Sequence, residues 1–72
     1  MLELYEDMFR KVFNHCLNDI KTNNKEGHIF TVFLNSMDEK YLNSTSDERK
    51  VIDYIAGMTD DFMAKEYNSI VD

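Results

Sequence analysis

Asp53 and Asp60 stand seven residues apart, a spacing that puts two carboxylates two turns up one face of a helix. At 1.5 Å rise per residue their Cα atoms would be roughly 10 Å apart, too far for the pair to share one proton. Carboxylates at comparable separation can cleave a glycoside, but only across a sugar-binding cleft, and nothing in the sequence identifies one. The expected role of both acids is to bond across to neighbouring helices of a larger parent protein and fix the packing of Tyr54 and the small face around it. Cys16 lies on an apolar helical arc, where a thiol behaves as a small hydrophobe rather than a nucleophile. His15 and His28 have no second ligand at recognisable metal spacing, so solvated or capping roles are expected of them. No catalytic residue and no metal ligand is assigned to this chain.

Three helices must position these side chains. From Leu2 to Lys21, the residues Tyr5, Met8, Phe9, Val12, Phe13, Cys16 and Ile20 recur at spacings of three and four, one arc of an amphipathic helix. Glu3, Glu6 and Asp7 near its start and Lys21 at its end follow the order the helix dipole favours. The polar stretch Thr22 to Gly27 reads as a connection. A second helix is predicted over 28–41, with Ile29, Phe30, Val32, Phe33, Leu34, Met37 and Tyr41 on a broader arc. Its opening run could pass for a buried strand, and the continuation through Met37 and Tyr41 at helical spacing decides for helix.

Asn43 to Glu48 then offers four N-cap candidates followed by acids, and Thr45 with Glu48 fits a capping box. The third helix is expected over about 47–70, with an apolar arc of Val51, Ile52, Ile55, Met58, Thr59, Phe62 and Met63. Its other face gathers Asp53, Ala56, Gly57, Asp60, Ala64 and Tyr67 at 100° per residue, small and acidic. A glycine inside a helix costs about 1 kcal/mol relative to alanine. Close approach of another backbone or a ligand would account for that cost; the alternative is that Gly57 and the alanines face water.

The fold class expected is all-α, a small antiparallel bundle with Phe9, Phe13, Phe30, Phe33 and Phe62 as its core. Met8, Met37, Met58 and Met63 fill its gaps. Seventy-two residues make one domain, and 14 acids against 8 bases give a net charge of −6 that argues against a phosphate-backbone binder. No apolar run approaches the ~20 residues of a membrane span, and neither a disulfide partner for Cys16 nor an export signal is visible, so the expected compartment is the cytoplasm. A domain near this length buries only about 60% of its unfolded surface. A further packing surface from another chain, or from the rest of a longer one, is therefore expected.

The block Asp53-Tyr54-Ile55-Ala56-Gly57-Met58-Thr59-Asp60 resembles one near the C-terminus of bacterial HD-domain phosphohydrolases of the deoxyguanosine-triphosphate triphosphohydrolase-like family. Arg49-Lys50-Val51-Ile52 resembles the lead-in to that block, and Phe62 with Glu66-Tyr67 its trailing residues. Ile29 to Leu34 and Tyr41-Leu42 are similar more loosely, and residues 1–20 offer a compatible helix. The resemblance implies an all-helical parent whose metal site combines a His, a His-Asp doublet and a distant Asp, holding a divalent metal that activates water against a nucleotide phosphate. Here His15 precedes Cys16 and His28 precedes Ile29, so neither forms that doublet, and Asp61 stands where many members carry a basic residue.

Two readings follow. In the first, the chain is the C-terminal helical subdomain of a larger HD-type hydrolase, inactive alone and lacking the metal-binding HD domain. It carries no cofactor, the divalent metal belongs to the parent, and nucleotide is met only through the parent. Its partners are then the remainder of the parent or another copy of the chain, and neither nucleic acid nor membrane. Asp53, Tyr54, Gly57 and Asp60 are the residues expected to support substrate or an interface. In the second reading, the chain is a stand-alone helical interaction module whose small acidic face docks a partner helix, a homodimer being one form of it. The match over the Asp53 to Asp60 block favours the first.

Overall fold

A computed structural model describes the backbone of residues 2–71 and the side chains of residues 6–71. The fold is all-α: α1 (Leu2–Lys21), a π-helical turn (Ile29–Phe33) running into a 3-10 turn (Leu34–Ser36), α2 (Glu39–Ser44), α3 (Asp47–Ala56) and α4 (Asp60–Val71). The long α1 packs against α3, α4 and the π-helical turn. Tyr5 and Glu3 belong to α1, but their side chains lie outside the described residues.

Helix α1 spans the range its periodicity predicts, burying Val12 and Cys16. It ends in a Schellman motif. Asn23 takes φ 55°, the left-handed conformation that asparagine tolerates. Asn23 N donates to Ile20 O at 3.1 Å and Asn24 N to Asp19 O at 2.8 Å, satisfying carbonyls that the helix end would otherwise orphan.

The continuous helix expected over 28–41 is corrected to three short pieces. Leu34 N donates to Ile29 O, five residues back, the i→i+5 bond of a π-turn. That winding brings Ile29, Phe30 and Leu34 into the core together, while Val32 stays 52% exposed. Met37 then takes an extended conformation and Asp38 caps a new helix, its Oδ1 accepting from Tyr41 N at 2.8 Å. The expected helix over 47–70 is likewise two. Gly57 closes α3, with Gly57 N donating to Tyr54 O at 3.3 Å and Met58 N to Ile55 O at 3.0 Å. Thr59 opens α4, its Oγ1 accepting from Phe62 N at 3.1 Å, with Asp60 and Asp61 in the first turn, where the dipole favours acids.

The cap of α3 also differs from expectation. Ser46, not Thr45, accepts from Arg49 N at 3.1 Å, because α2 runs to Ser44 and Thr45 is used in closing it. The core is Val12, Cys16, Ile29, Phe30, Leu34, Val51, Tyr54, Ile55 and Met63. Val12, Ile29 and Val51 are fully buried, each worth about 1.5–3 kcal/mol relative to exposure. Of the expected core residues, Phe30 and Met63 are buried, whereas Met8, Phe13, Phe33, Met58 and Phe62 pack at its margin. Phe9 is exposed and stacks on Phe13 at 6.0 Å. Ile52, placed on the inner arc by periodicity, is 45% exposed. Among the described residues, no helix is long and apolar enough to cross a membrane.

Candidate functional site

The break between α3 and α4 opens a recess of about 170 Å³ lined by Val32, Phe33, Asp53, Tyr54, Gly57, Met58 and Phe62. Three of the four residues singled out from the sequence therefore share one concavity. Asp60 does not line it: with the helix interrupted, this residue sits exposed in the first turn of α4, and the expected continuous face with Asp53 does not exist. Gly57, expected inside a helix, lies in the turn, exposed, with φ −88°. A Cβ there would meet Tyr54 O at 3.7 Å, ordinary contact, so nothing among the described residues demands a glycine.

The recess is aromatic at its base and acidic at its edge. Tyr54 is buried in α3, its ring tilted against Phe33 at 5.7 Å and edge-on to Phe62 at 6.3 Å. Phe33 in turn meets Tyr41 edge-on at 6.1 Å. Asp53, one residue earlier in α3, turns towards α2: its Oδ2 accepts from the Tyr41 hydroxyl at 2.6 Å and its Oδ1 from Arg49 Nε at 2.9 Å. Burial, followed by the bond to Asp53, pushes the Tyr41 phenol up to about 12, with Arg49 opposing. Both phenols thus stay protonated donors across the neutral range, because Tyr54 is also raised, first by burial and then by the Glu66 carboxylate.

The structure also assembles a second cluster that the sequence does not announce. Glu66 in α4 is buried, its Oε2 accepting from the Tyr54 hydroxyl at 3.3 Å and its Oε1 paired with His28 Nδ1. Asp19 in α1 is buried too; its Oδ1 accepts from Asn24 Nδ2 at 3.2 Å. His15 Nε2 lies 3.4 Å from Asp19 Oδ2, an ion-pair distance without hydrogen-bond alignment, which leaves Oδ2 a buried oxygen with no hydrogen bond among the described residues. These residues and Cys16 line a cavity of about 310 Å³. The two histidines keep about half of their side chains exposed, yet each is paired with a buried acid rather than simply solvated. Glycine at position 27 is what admits the Asp19 carboxylate, since a Cβ there would stand 2.7 Å from Asp19 Cγ. Burial, then Glu66 and Asp19, pushes the Cys16 thiol up to about 12, so it is no nucleophile.

A family model of the phosphohydrolase-associated domain, a domain that accompanies HD phosphohydrolases, matches residues 2–69. The chain belongs to this family. Searches among curated proteins and among solved structures return no match. In this phosphohydrolase-associated domain the donors do not fit a divalent-metal centre. Among the described residues no three His, Cys, Asp or Glu side chains group to hold an ion, and the two histidines are committed to two separate acids.

Proposed function

We propose that this phosphohydrolase-associated domain is a non-catalytic helical part of a metal-dependent HD-type (deoxy)nucleotide triphosphohydrolase, where it supports the active-site pocket or a subunit interface. The family match over residues 2–69 carries the reading. The Asp53 to Asp60 block supports its narrower, deoxyguanosine-triphosphatase-like form, and that form brings with it a bacterial, cytoplasmic setting. The divalent metal and its ligands come from the remainder of the parent, which is also the partner, together with or instead of a second copy of the chain.

The recess at the α3–α4 break is the part of the surface best suited to this role. It holds an anchored carboxylate, Asp53, beside an aromatic base of Tyr54, Phe33 and Phe62, with the exposed Gly57 backbone at its mouth. Such a surface can receive a neighbouring helix or one edge of a nucleotide without supplying any reacting group.

The test has two arms. Purified chain is incubated with deoxynucleoside triphosphates and Mg²⁺ or Mn²⁺, and no release of phosphate or triphosphate is expected; release would overturn the non-catalytic assignment. The chain is then supplied in trans to an HD-domain phosphohydrolase stripped of its corresponding C-terminal segment. Recovered metal-dependent hydrolysis is expected, and neither recovery nor co-sedimentation would count against the accessory role.

A further inference from the structure

We infer that the His28–Glu66 pair is a proton-sensitive latch, which holds the start of the π-helical turn to α4 while His28 is charged and slackens when it is neutral. The two partners sit in unlike surroundings: the Glu66 side chain is 6% exposed and that of His28 56%. A carboxylate so deeply placed is costly to keep ionised without a counter-charge, whereas the imidazole exchanges its proton with solvent. Histidine changes its charge between about pH 5 and 8. Protonated, His28 Nδ1 gives Glu66 Oε1 a charge-assisted bond. Neutral, it leaves the carboxylate with uncharged donors alone, its own N–H and the Tyr54 hydroxyl.

The neighbours leave this histidine as the charge that counts. From α1, His15, Cys16 and Asp19 line the same cavity, from the loop before the π-helical turn Glu26 does, and α4 adds the uncharged Ser69 and Ile70 beside Glu66. Helix α3 supplies the Tyr54 phenol. That phenol and the Cys16 thiol are both raised, first by burial, so neither changes charge below pH 8. Among the described residues no lysine or arginine lines the cavity, and Lys25 lies over the Phe30 ring at 4.7 Å. His15 stands 3.4 Å from Asp19 Oδ2 and so serves the other buried acid. Within the cavity, counter-charge for Glu66 therefore arrives and leaves with one proton. A fold that favours the charged imidazole has this contribution fully present below about pH 6.5, the ordinary histidine value in an unfolded chain, and loses it as the pH rises beyond. The latch joins the elements that carry Phe33, Tyr54 and Phe62 of the recess. It acts within the isolated chain, without nucleotide or parent, and so stands apart from the hydrolase reading.

Urea midpoints of the natural chain are measured from pH 5.5 to 8 at constant ionic strength, beside those of His28→Asn and His15→Gln. The asparagine amide nitrogen can stand where His28 Nδ1 does without titrating. The natural chain is expected to weaken as the pH rises, and His28→Asn to weaken less, by about threefold to tenfold in the unfolding constant over that span, the range left to one half-exposed pair screened by water. His15→Gln is expected to keep most of the natural slope. Amide exchange supplies a second reading on the unaltered protein: the protection factor of Leu34 N–H, which donates to Ile29 O in the π-helical turn, should fall over the same range by more than that of Cys16 in α1. Parallel pH profiles of the natural chain and His28→Asn would overturn the latch, because the proton would then act at Glu66 or Asp19 itself. So would a natural chain that gains stability towards pH 8, a slope flattened by His15→Gln alone, or equal changes in protection at Leu34 and Cys16.

Discussion

The phenol of Tyr54 donates to Glu66 Oε2 across 3.3 Å, joining α3 to α4 over the break at Gly57. Because His28 Nδ1 takes the other oxygen, one buried carboxylate ties together the π-helical segment and both C-terminal helices. A chain this small has few places to brace two helices separated by a non-helical turn. Here the brace is polar and shares Tyr54 with the aromatic recess.

Removing the hydroxyl alone tests that brace. Tyr54→Phe keeps the ring against Phe33 and Phe62 but leaves Glu66 Oε2 buried without its donor. A loss of about 1–3 kcal/mol in urea unfolding is expected. Glu66→Ala should cost at least as much, because it leaves the buried Tyr54 hydroxyl without its acceptor and removes buried stem, whereas the half-exposed His28 turns to water. Equal stability of Tyr54→Phe and the natural chain would show that the bond contributes nothing.

Gly27 makes a sharper prediction than Gly57 does. A methyl group at 27 would stand 2.7 Å from Asp19 Cγ and 3.2 Å from Asn24 O, so the carboxylate must leave its seat. Gly27→Ala is expected to destabilise by about 1–3 kcal/mol, as overpacking does, and to shift the amide resonances of Asp19 and Asn24. An unchanged urea midpoint would mean that Asp19 has another rotamer at no cost, and an unchanged spectrum that its carboxylate does not sit against Gly27.

Much of this fold can be read along the chain, and the limits have physical causes. The α1 bounds follow from an apolar arc with acids in its first turns and a lysine at its end, and the start of α3 from a run of capping residues. The break at 57–59 is missed because Ile55 before it, Met58 within it and Phe62 and Met63 after it pack towards the same core, preserving helical spacing across an interruption. The local signal was present: glycine followed by Thr-Asp-Asp is a helix stop and then a start. Asp38 within the expected second helix is another such start. Asp53, Tyr54 and Gly57 meet in one recess because they lie within a turn or so of each other, whereas His28 and Glu66 are 38 residues apart. No periodicity encodes a contact of that range, so the buried acidic cluster is visible only in three dimensions.

Cys16 gives the pH dependence its sign. Its thiol is pushed from an ordinary 9.0 to about 12 by burial, then by Glu66 and Asp19. Below pH 9 the thiol is protonated in both folded and unfolded chains, and its contribution to stability is fully present. Between pH 9 and about 12 the unfolded chain loses the proton first, so stability falls, by up to about 1.4 kcal/mol per pH unit from this one group. Tyr41 and Tyr54, also raised, add to the slope in the same direction. Urea midpoints of the natural chain and of Cys16→Ala, measured from pH 8 to 11, isolate the cysteine: the variant should show the shallower decline. Native Cys16 should also resist iodoacetamide at pH 8 and react once urea is added. Rapid alkylation of the folded chain would contradict the burial.

The turn between α3 and α4 separates what the chain needs from what a partner needs. Thr59 accepts from Phe62 N and caps α4, so Thr59→Ala should cost about 0.5–2 kcal/mol in the isolated chain. Gly57 has φ −88° and room for a methyl group, with Tyr54 O at 3.7 Å, and Gly57→Ala should change the isolated chain's stability by only a few tenths of a kcal/mol. If another backbone packs against this turn in an assembled HD phosphohydrolase, the same alanine should nonetheless weaken assembly or lower the enzyme's activity. The contrast is what matters: Thr59→Ala acting through folding, Gly57→Ala only through the complex. Paired urea titrations of the chain and activity measurements on the assembled enzyme decide it. A Gly57→Ala variant indistinguishable in both would leave the turn with a structural role alone, and the supporting surface would have to be sought on another face of α3 and α4.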